Sequence, residues 1–369
     1  MAGIYIHIPF CQTRCVYCDF FSSTQQQEKE AYIELICKEL REREDYLNGL
    51  LVETVYFGGG TPSQLPAKDF SKIFNSLYLF YSIIDRPEIT LEANPDDITP
   101  DYLNGFIHLP FNRVSLGIQS FNDNELAFLN RRHNAESAVR AVELLQDFGF
   151  ENISIDLMYG LPDQTLETWE ATIQKALSLG VQHISAYHLT YEKGTQLHHL
   201  LETGKIQPVE EETSIQMFEL LIDRLRDAGF DHYEISNFSR AGCFSRHNSA
   251  YWKGTPYLGI GASAHSYNGI SRQWNRPVHG TRYAVHEAEI EILDERAVFN
   301  DFIITRLRTM KGINLSELQT LFGEEKKVEC LVRAQKYLNS RQLQVSGNHL
   351  RLTRTGIFVS DGIMRDLIC

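Results

Sequence analysis

Up to about residue 190, short apolar runs alternate with longer stretches in which apolar side chains recur every three or four positions. The short runs, at residues 4–8, 54–57, 89–92, 113–116, 153–157 and 184–189, have the length of strands. Between the first two, residues 29–46 put Tyr32, Leu35, Ile36 and Leu40 at i, i+3, i+4 and i+8 on one helical face, and residues 135–148 and 166–179 behave alike. Strand and helix in alternation predict parallel β/α units. Further on, residues 209–228 predict a long amphipathic helix and 233–235 another strand, before a glycine- and aromatic-rich stretch from Ala241 to Tyr267. A charged segment around His286 to Glu295 marks the expected boundary to a last domain. There two helices precede short strands at 343–345 and 350–352, the order of a small winged-helix-like module.

The motifs at the strand ends are more telling than the strands. The first strand leads to Cys11, Cys15 and Cys18, the second to Gly58-Gly59-Gly60-Thr61-Pro62, and the third to Glu92-Ala93-Asn94-Pro95. The fourth leads to Gly117-Ile118-Gln119-Ser120-Phe121, the fifth to Asp156-Leu157-Met158-Tyr159-Gly160, and the sixth to Leu189-Thr190-Tyr191-Glu192. Any one such motif is an ordinary turn. Six together, each at the C-terminal end of a strand, predict one shared site at the top of a barrel.

Composition narrows the setting. At 369 residues and 43% hydrophobic, the chain can bury a full core in two or three domains. A net charge of −13 disfavours a nucleic-acid partner, which needs clustered Lys and Arg. Seven cysteines, three of them clustered, suit a reducing cytosolic compartment better than a disulfide framework. No apolar run approaches the roughly 20 residues of a membrane span, and no signal-peptide pattern opens the chain. The expectation is a cytoplasmic protein, with peripheral membrane contact left open.

The spacing Cys11-x3-Cys15-x2-Cys18 provides three thiolates, where a [4Fe–4S] cube normally takes four. The iron left over can bind a small molecule, and S-adenosylmethionine (SAM) fits, since its amino and carboxylate groups can chelate iron. Zinc and a disulfide pair are the alternatives, but no second cysteine pair of zinc-site spacing occurs. Glycines at 59 and 60 let the backbone approach a ligand closely. Glu92 suits ribose hydroxyls or an amino group, or equally a helix cap; Arg131 suits a carboxylate, with neighbouring Arg132 as the rival. Asp156, set between Ile155 and Leu157, is costly to bury unpaired and so belongs at the barrel top.

The cysteine trio is the signature of the radical SAM superfamily, which this chain resembles over nearly its whole length. Tyr5-x-His7-Ile8-Pro9-Phe10, Tyr17 and Asp19-Phe20 are similar to the oxygen-independent coproporphyrinogen III dehydrogenases and their relatives. Those dehydrogenases carry a further cysteine where this chain has Phe20, and a longer segment before the trio; both departures point to the sister group of radical SAM haem chaperones. The resemblance implies an α/β fold, a partial (β/α)6 barrel at residues 1–235, an extension at 236–295 and a winged-helix-like module at 296–369. It implies that Cys11, Cys15 and Cys18 hold the cluster, and that Tyr5, Tyr17, Gly59, Gly60, Thr61, Glu92, Gln119, Arg131 and Asp156 surround the cluster and SAM. It further implies that haem is cargo for acceptor haemoproteins, membrane respiratory proteins among them, and that an electron donor serves the cluster.

His247-Asn248-x-x-Tyr251-Trp252 matches the haem-binding string of the chaperones, which makes His247 the expected axial ligand and Cys243 its rival. Arg240, Arg246 and Lys253 are the expected propionate partners. The competing expectation is an enzyme that converts coproporphyrinogen propionates to vinyl groups with a 5′-deoxyadenosyl radical.

Overall fold

A computed structural model describes residues 1–279, 282–283 and 288–369. Strands β1 (Ala2–Ile8), β2 (Val52–Gly59), β3 (Ile83–Ala93), β4 (Arg113–Gln119), β5 (Ile153–Tyr159) and β6 (His183–His188) lie side by side, parallel and in chain order. The connections carry helices α1 (Lys29–Glu42), α2 (Ala67–Phe80), α3 (Pro100–Phe106), α4 (Asp123–Phe128), α5 (Ala135–Asp147) and α6 (Leu166–Ser178). All six expected strands are present, β3 starting six residues before its expected start and the others within three residues of their expected ends.

Side chains alternate across a strand, and here the alternation separates two chemistries. Ile4, Ile6, Ile8, Val55, Phe57 and Leu91 form one core with α1 and α2. Val114, Leu116, Ile155 and Leu157 form another with Ala141 and Leu145 of α5 and with Trp169 and Ile173 of α6. The opposite face is polar, in register across the strands: Tyr5 beside Tyr56, Tyr56 beside Thr90, Thr90 beside Arg113, and then Glu92 beside Ser115 and Ser115 beside Ser154. Arg113 is 1% exposed on that inner face, and its Nε has no hydrogen-bond partner among the described residues.

After α7 (Gln196–Glu202) and α8 (Glu211–Asp227), the chain adds strands at both ends of this sheet. β7 (Asp231–Glu234) and β8 (Asn237–Ser239) join β6 antiparallel through β8. Beyond α9 (Arg246–Trp252), β9 (Tyr257–Ile260) pairs parallel with β1, a seventh parallel strand that periodicity did not reveal because it is short and glycine-broken. β10 (His265–Tyr267), β11 (Ser271–Trp274), a small ribbon of β12 (Pro277–His279) and β13 (Arg282–Tyr283), and β14 (Glu289–Ile292) complete this part, with β14 at the far edge of the twelve-stranded sheet. Of the charged stretch expected at a domain boundary, His286 and Glu287 lie outside the described residues. The C-terminal part is α10 (Glu295–Leu307), β15 (Ile313–Asn314), α11 (Leu315–Asn339), β16 (Leu343–Ser346), β17 (His349–Leu352), α12 (Arg354–Ile357) and α13 (Ser360–Leu367). Phe299, Ile303, Leu318, Ile363 and Leu367 join its elements to the main core. Among the described residues no helix is long and apolar enough to cross a membrane.

Candidate functional site

At the C-terminal ends of the parallel strands lies a cavity of about 680 Å³, walled by residues from Cys11 to Asp361. Cys11, Cys15 and Cys18 all line it, and all three are free thiols. Their loop is pinned at its base: the Cys11 amide donates to Ser23 O (2.9 Å), the Ser23 amide to Pro9 O (2.7 Å), and Gln26 Nε2 to Cys11 O (2.8 Å). Thr61 Oγ1 donates to Cys11 Sγ (3.4 Å) and Arg131 Nη1 to Cys15 Sγ (3.3 Å). Burial pushes the Cys11 thiol up and the Cys18 thiol up to about 11, so these donors and a bound metal would have to stabilise the thiolates. Among the described residues no three His, Cys, Asp or Glu side chains gather tightly enough for a single metal ion. Three cysteine thiols on one short loop are a donor set that would hold a [4Fe–4S] cube with one iron left open.

The remaining walls come from the motifs after β2 to β5. Gly59 has φ +110°, and a Cβ there would come within 2.4 Å of the His7 ring; a Cβ on Gly60 would meet Pro9 backbone at 2.6 Å. Only glycine lets this turn lie against the cysteine loop. Glu92 is no helix cap: its Oε1 accepts from Tyr56 OH (2.7 Å) and its Oε2 from the Gly59 amide (3.1 Å). Burial raises Glu92 to about 7 despite those donors, and burial raises Asp156 to about 6 despite hydroxyls from Ser185 and Ser115. Gln119 sits at φ +70° where β4 slips register against β5, which turns it into the cavity.

The two arginines separate. Arg131 is half-buried, donates to Cys15 Sγ, to Gly117 O and to Asn94 Oδ1 (2.6 Å), and leaves its Nε without a partner among the described residues. Arg132 is tied at the rim to Asp96 (3.0 Å) and Asp97 (2.9 Å). Tyr17 lines the cavity, but Tyr5 does not: its ring lies deeper in the barrel, stacked on Tyr56 at 6.1 Å, with its hydroxyl 3.1 Å from His7 Nδ1. Tyr5 instead lines the adjoining cavity. Sequence reading missed Asn94 as the residue that orients Arg131, although it stands within the Glu92-Ala93-Asn94-Pro95 motif at the end of β3.

His247 departs most from expectation. It is 2% exposed on α9 against β1 and β2, with Nδ1 2.7 Å from Thr54 Oγ1 and Nε2 2.8 Å from Tyr251 OH. Glu88 accepts both the Arg246 and His247 amides (2.9 Å each) and fixes the start of the helix. Burial lowers His247 to about 3, and both ring nitrogens are engaged, so this geometry offers haem iron no lone pair. Of the expected propionate partners, Arg246 is paired with Glu53 (2.5 Å) and Arg240 lies over the Phe230 ring (4.7 Å). Cys243 lines neither this cavity nor the next.

A second cavity, of about 760 Å³, adjoins the first through Asp19 and Phe20, which line both. Tyr251, Trp252, Tyr257, Tyr267, Phe302 and Phe322 give it aromatic walls.

The Radical SAM superfamily profile matches residues 5–176, and the HemN C-terminal domain profile matches residues 293–359. A protein of Mycobacterium tuberculosis named heme chaperone HemW is 32% identical over 378 residues, covering 99% of this chain and 94% of that relative. A heme chaperone HemW of Bacillus subtilis is 36% identical over 277 residues, covering 74% of this chain and 73% of that protein. The mitochondrial radical S-adenosyl methionine domain-containing protein 1 of Mus musculus is 32% identical over 397 residues, covering 100% of this chain and 87% of that relative. Among solved structures, coproporphyrinogen III oxidase (HemN) from Escherichia coli superimposes with a TM-score of 0.83 at 22% identity, over 100% of this chain and 90% of that one.

Proposed function

The chain belongs to the haem-chaperone family of the radical SAM superfamily, and from that premise we propose that it binds haem and delivers it to acceptor haemoproteins. In this reading Cys11, Cys15 and Cys18 hold a [4Fe–4S] cluster and Gly59, Gly60, Thr61, Glu92, Gln119, Arg131 and Asp156 surround SAM. The observation that carries it is the convergence of three free thiols with these residues in one cavity. When bound, a reduced cluster supplies an electron to SAM. The chain's own part is to bind and orient: Arg131, held by Asn94, presents a guanidinium edge suited to a carboxylate, and the Gly59–Thr61 turn admits a ligand against bare backbone. Glu92 and Asp156 then offer hydrogen-bond acceptors to polar hydrogens at the strand ends.

The test is anaerobic reconstitution, expected to give about four irons per chain, and then haem loading and transfer to an apo-haemoprotein with SAM present and absent. Coproporphyrinogen III supplied with SAM and a reductant should remain unconverted. Appearance of protoporphyrinogen IX, with no haem bound, would replace this reading with the enzyme one.

A further inference from the structure

We infer, resting on the haem-carrying reading above, that the iron porphyrin occupies the second, aromatic cavity, with His265 rather than His247 as its axial ligand and Lys253 beside a propionate. Such a cargo demands three things of its site: flat apolar walls, an imidazole with a free lone pair, and a cation for carboxylates. The cavity supplies each. At about 760 Å³ it falls within the roughly 300–1,000 Å³ of sites that enclose small organic ligands.

Two imidazoles line it. His7 is committed, its Nδ1 to Tyr5 OH (3.1 Å) and its Nε2 to Phe21 O (2.9 Å). His265 has no hydrogen bond on either ring nitrogen among the described residues; its ring lies against Trp274, 5.9 Å between centroids. Burial and the neighbouring Arg272 charge lower its pKa, which keeps the ring neutral and its lone pair available.

The backbone that carries His265 is built to close tolerance. A Cβ on Gly259 would come within 2.0 Å of His265 O, and one on Gly261 within 2.6 Å of Tyr32 OH, so the hairpin from β9 to β10 closes only with glycine at both positions. Arg43 holds it from outside, donating to Gly259 O (2.9 Å) and Ser266 Oγ (3.0 Å), while Glu39 accepts from the Gly261 amide (2.8 Å) and from Asn275 (2.7 Å).

The cations of the wall are unequal. Arg272 is paired with Asp301 and Arg306 with Glu317, whereas the Lys253 ammonium has no ion pair or hydrogen bond among the described residues. The His-Asn-x-x-Tyr-Trp string then acts through its end: buried His247 anchors α9, and Tyr251, Trp252 and Lys253 face the cargo.

The experiment is a titration of the full chain with hemin, read by the Soret band. Wild type should give a histidine-ligated spectrum; His265→Ala should lose it, bind hemin at least tenfold more weakly, and regain the spectrum on addition of free imidazole. Binding of metal-free protoporphyrin IX, which needs the walls but no axial ligand, should change less than threefold in His265→Ala and drop in Trp252→Ala. His247→Gln, which can keep one hydrogen bond of the anchor, should retain the wild-type spectrum. Unchanged hemin binding in His265→Ala, with loss in His247→Gln, overturns this site and leaves the haem-carrying reading intact. Failure of the unaltered chain to bind hemin overturns both.

Discussion

The two cavities share the Asp19–Phe20 wall and differ in almost everything else. The first is lined by ionisable groups that already answer one another: Arg131 with Cys15 and Asn94, Glu92 with Tyr56 and Gly59, Asp156 with Ser115. The second is lined by rings, with a free imidazole and an unpaired ammonium at its margin among the described residues. A site prepared for a charged cofactor must hold its charges in place before the ligand comes, because unpaired charges inside a protein are costly. A site for a flat apolar cargo needs area and a few exposed polar anchors, and it can leave them unpaired where water reaches them.

Four sets of substitutions would break or sharpen that contrast. Replacing Cys11, Cys15 or Cys18 with Ala should have the largest effect, reducing reconstituted iron from about four per chain to near zero. Hemin binding should persist in all three, as absorbance and iron analysis on the same samples would report; loss of both would mean that the cavities are one site. Cys330, fully buried in the C-terminal core, should be dispensable for the cluster.

The next largest effect concerns protons. With folded values raised to about 7 for Glu92 and about 6 for Asp156, the cluster-free folded chain keeps protons that the unfolded chain releases from about pH 4 upward. Stability from these carboxyls is full below that point and is lost as pH rises to about 7. Buried His7, His133 and His247 and half-buried His232 run the opposite way, gaining stability as pH rises from about 3 or 4 to 6.5, so a difference is the cleaner readout. Around Glu92 stand Tyr56, the Gly59 amide, Asp156 and Arg113. Glu92→Gln should therefore gain up to about 3 kcal/mol on wild type between pH 4.5 and pH 8, measured by urea unfolding. A pH-independent difference would show that Glu92 is ionised throughout.

Arg131→Ala should weaken SAM binding by about 2 kcal/mol in calorimetry, and Arg132→Ala by clearly less, since Arg132 is spent on Asp96 and Asp97. Equal losses would erase the distinction between them. Smallest of all, Lys253→Ala should lower hemin affinity about two- to fivefold, the range of an exposed ion pair, and the effect should shrink in high salt.

How far the sequence can be read obeys the same division. The first cavity is contiguous in motif space: each strand end delivers its residues within a few positions, so Cys11, Gly60, Glu92, Gln119 and Asp156 are legible from the strand-end motifs. The parallel core is equally plain because β1 to β6 alternate with amphipathic helices. The second cavity draws on residues from Tyr5 to Phe322, brought together by β9 and α10, and no local pattern announces such a wall. His247 lies outside the lining of both cavities for a related reason. A matching string identifies a helix but not which way its first residues point, and Thr54, 193 residues away, decides that. Tyr5 lies one layer deeper than its motif suggests, because the polar inner register that joins it to Tyr56 is a tertiary feature. The short strand β9 hides behind the glycines that its close packing requires.

That the cysteine cavity is walled by residues as distant as Cys11 and Asp361 also sets a timetable. At synthesis rates of about 5–20 residues per second, roughly 20–70 s separate the emergence of the thiols from that of the last wall. Meanwhile β1 waits for residues 257–260 before its second edge is covered. The thiols are thus made early and enclosed late. A ligand arriving before the chain is finished would meet a cleft that still lacks Arg308, Ser360 and Asp361. The cysteines therefore spend the rest of synthesis, up to about a minute, without their last wall.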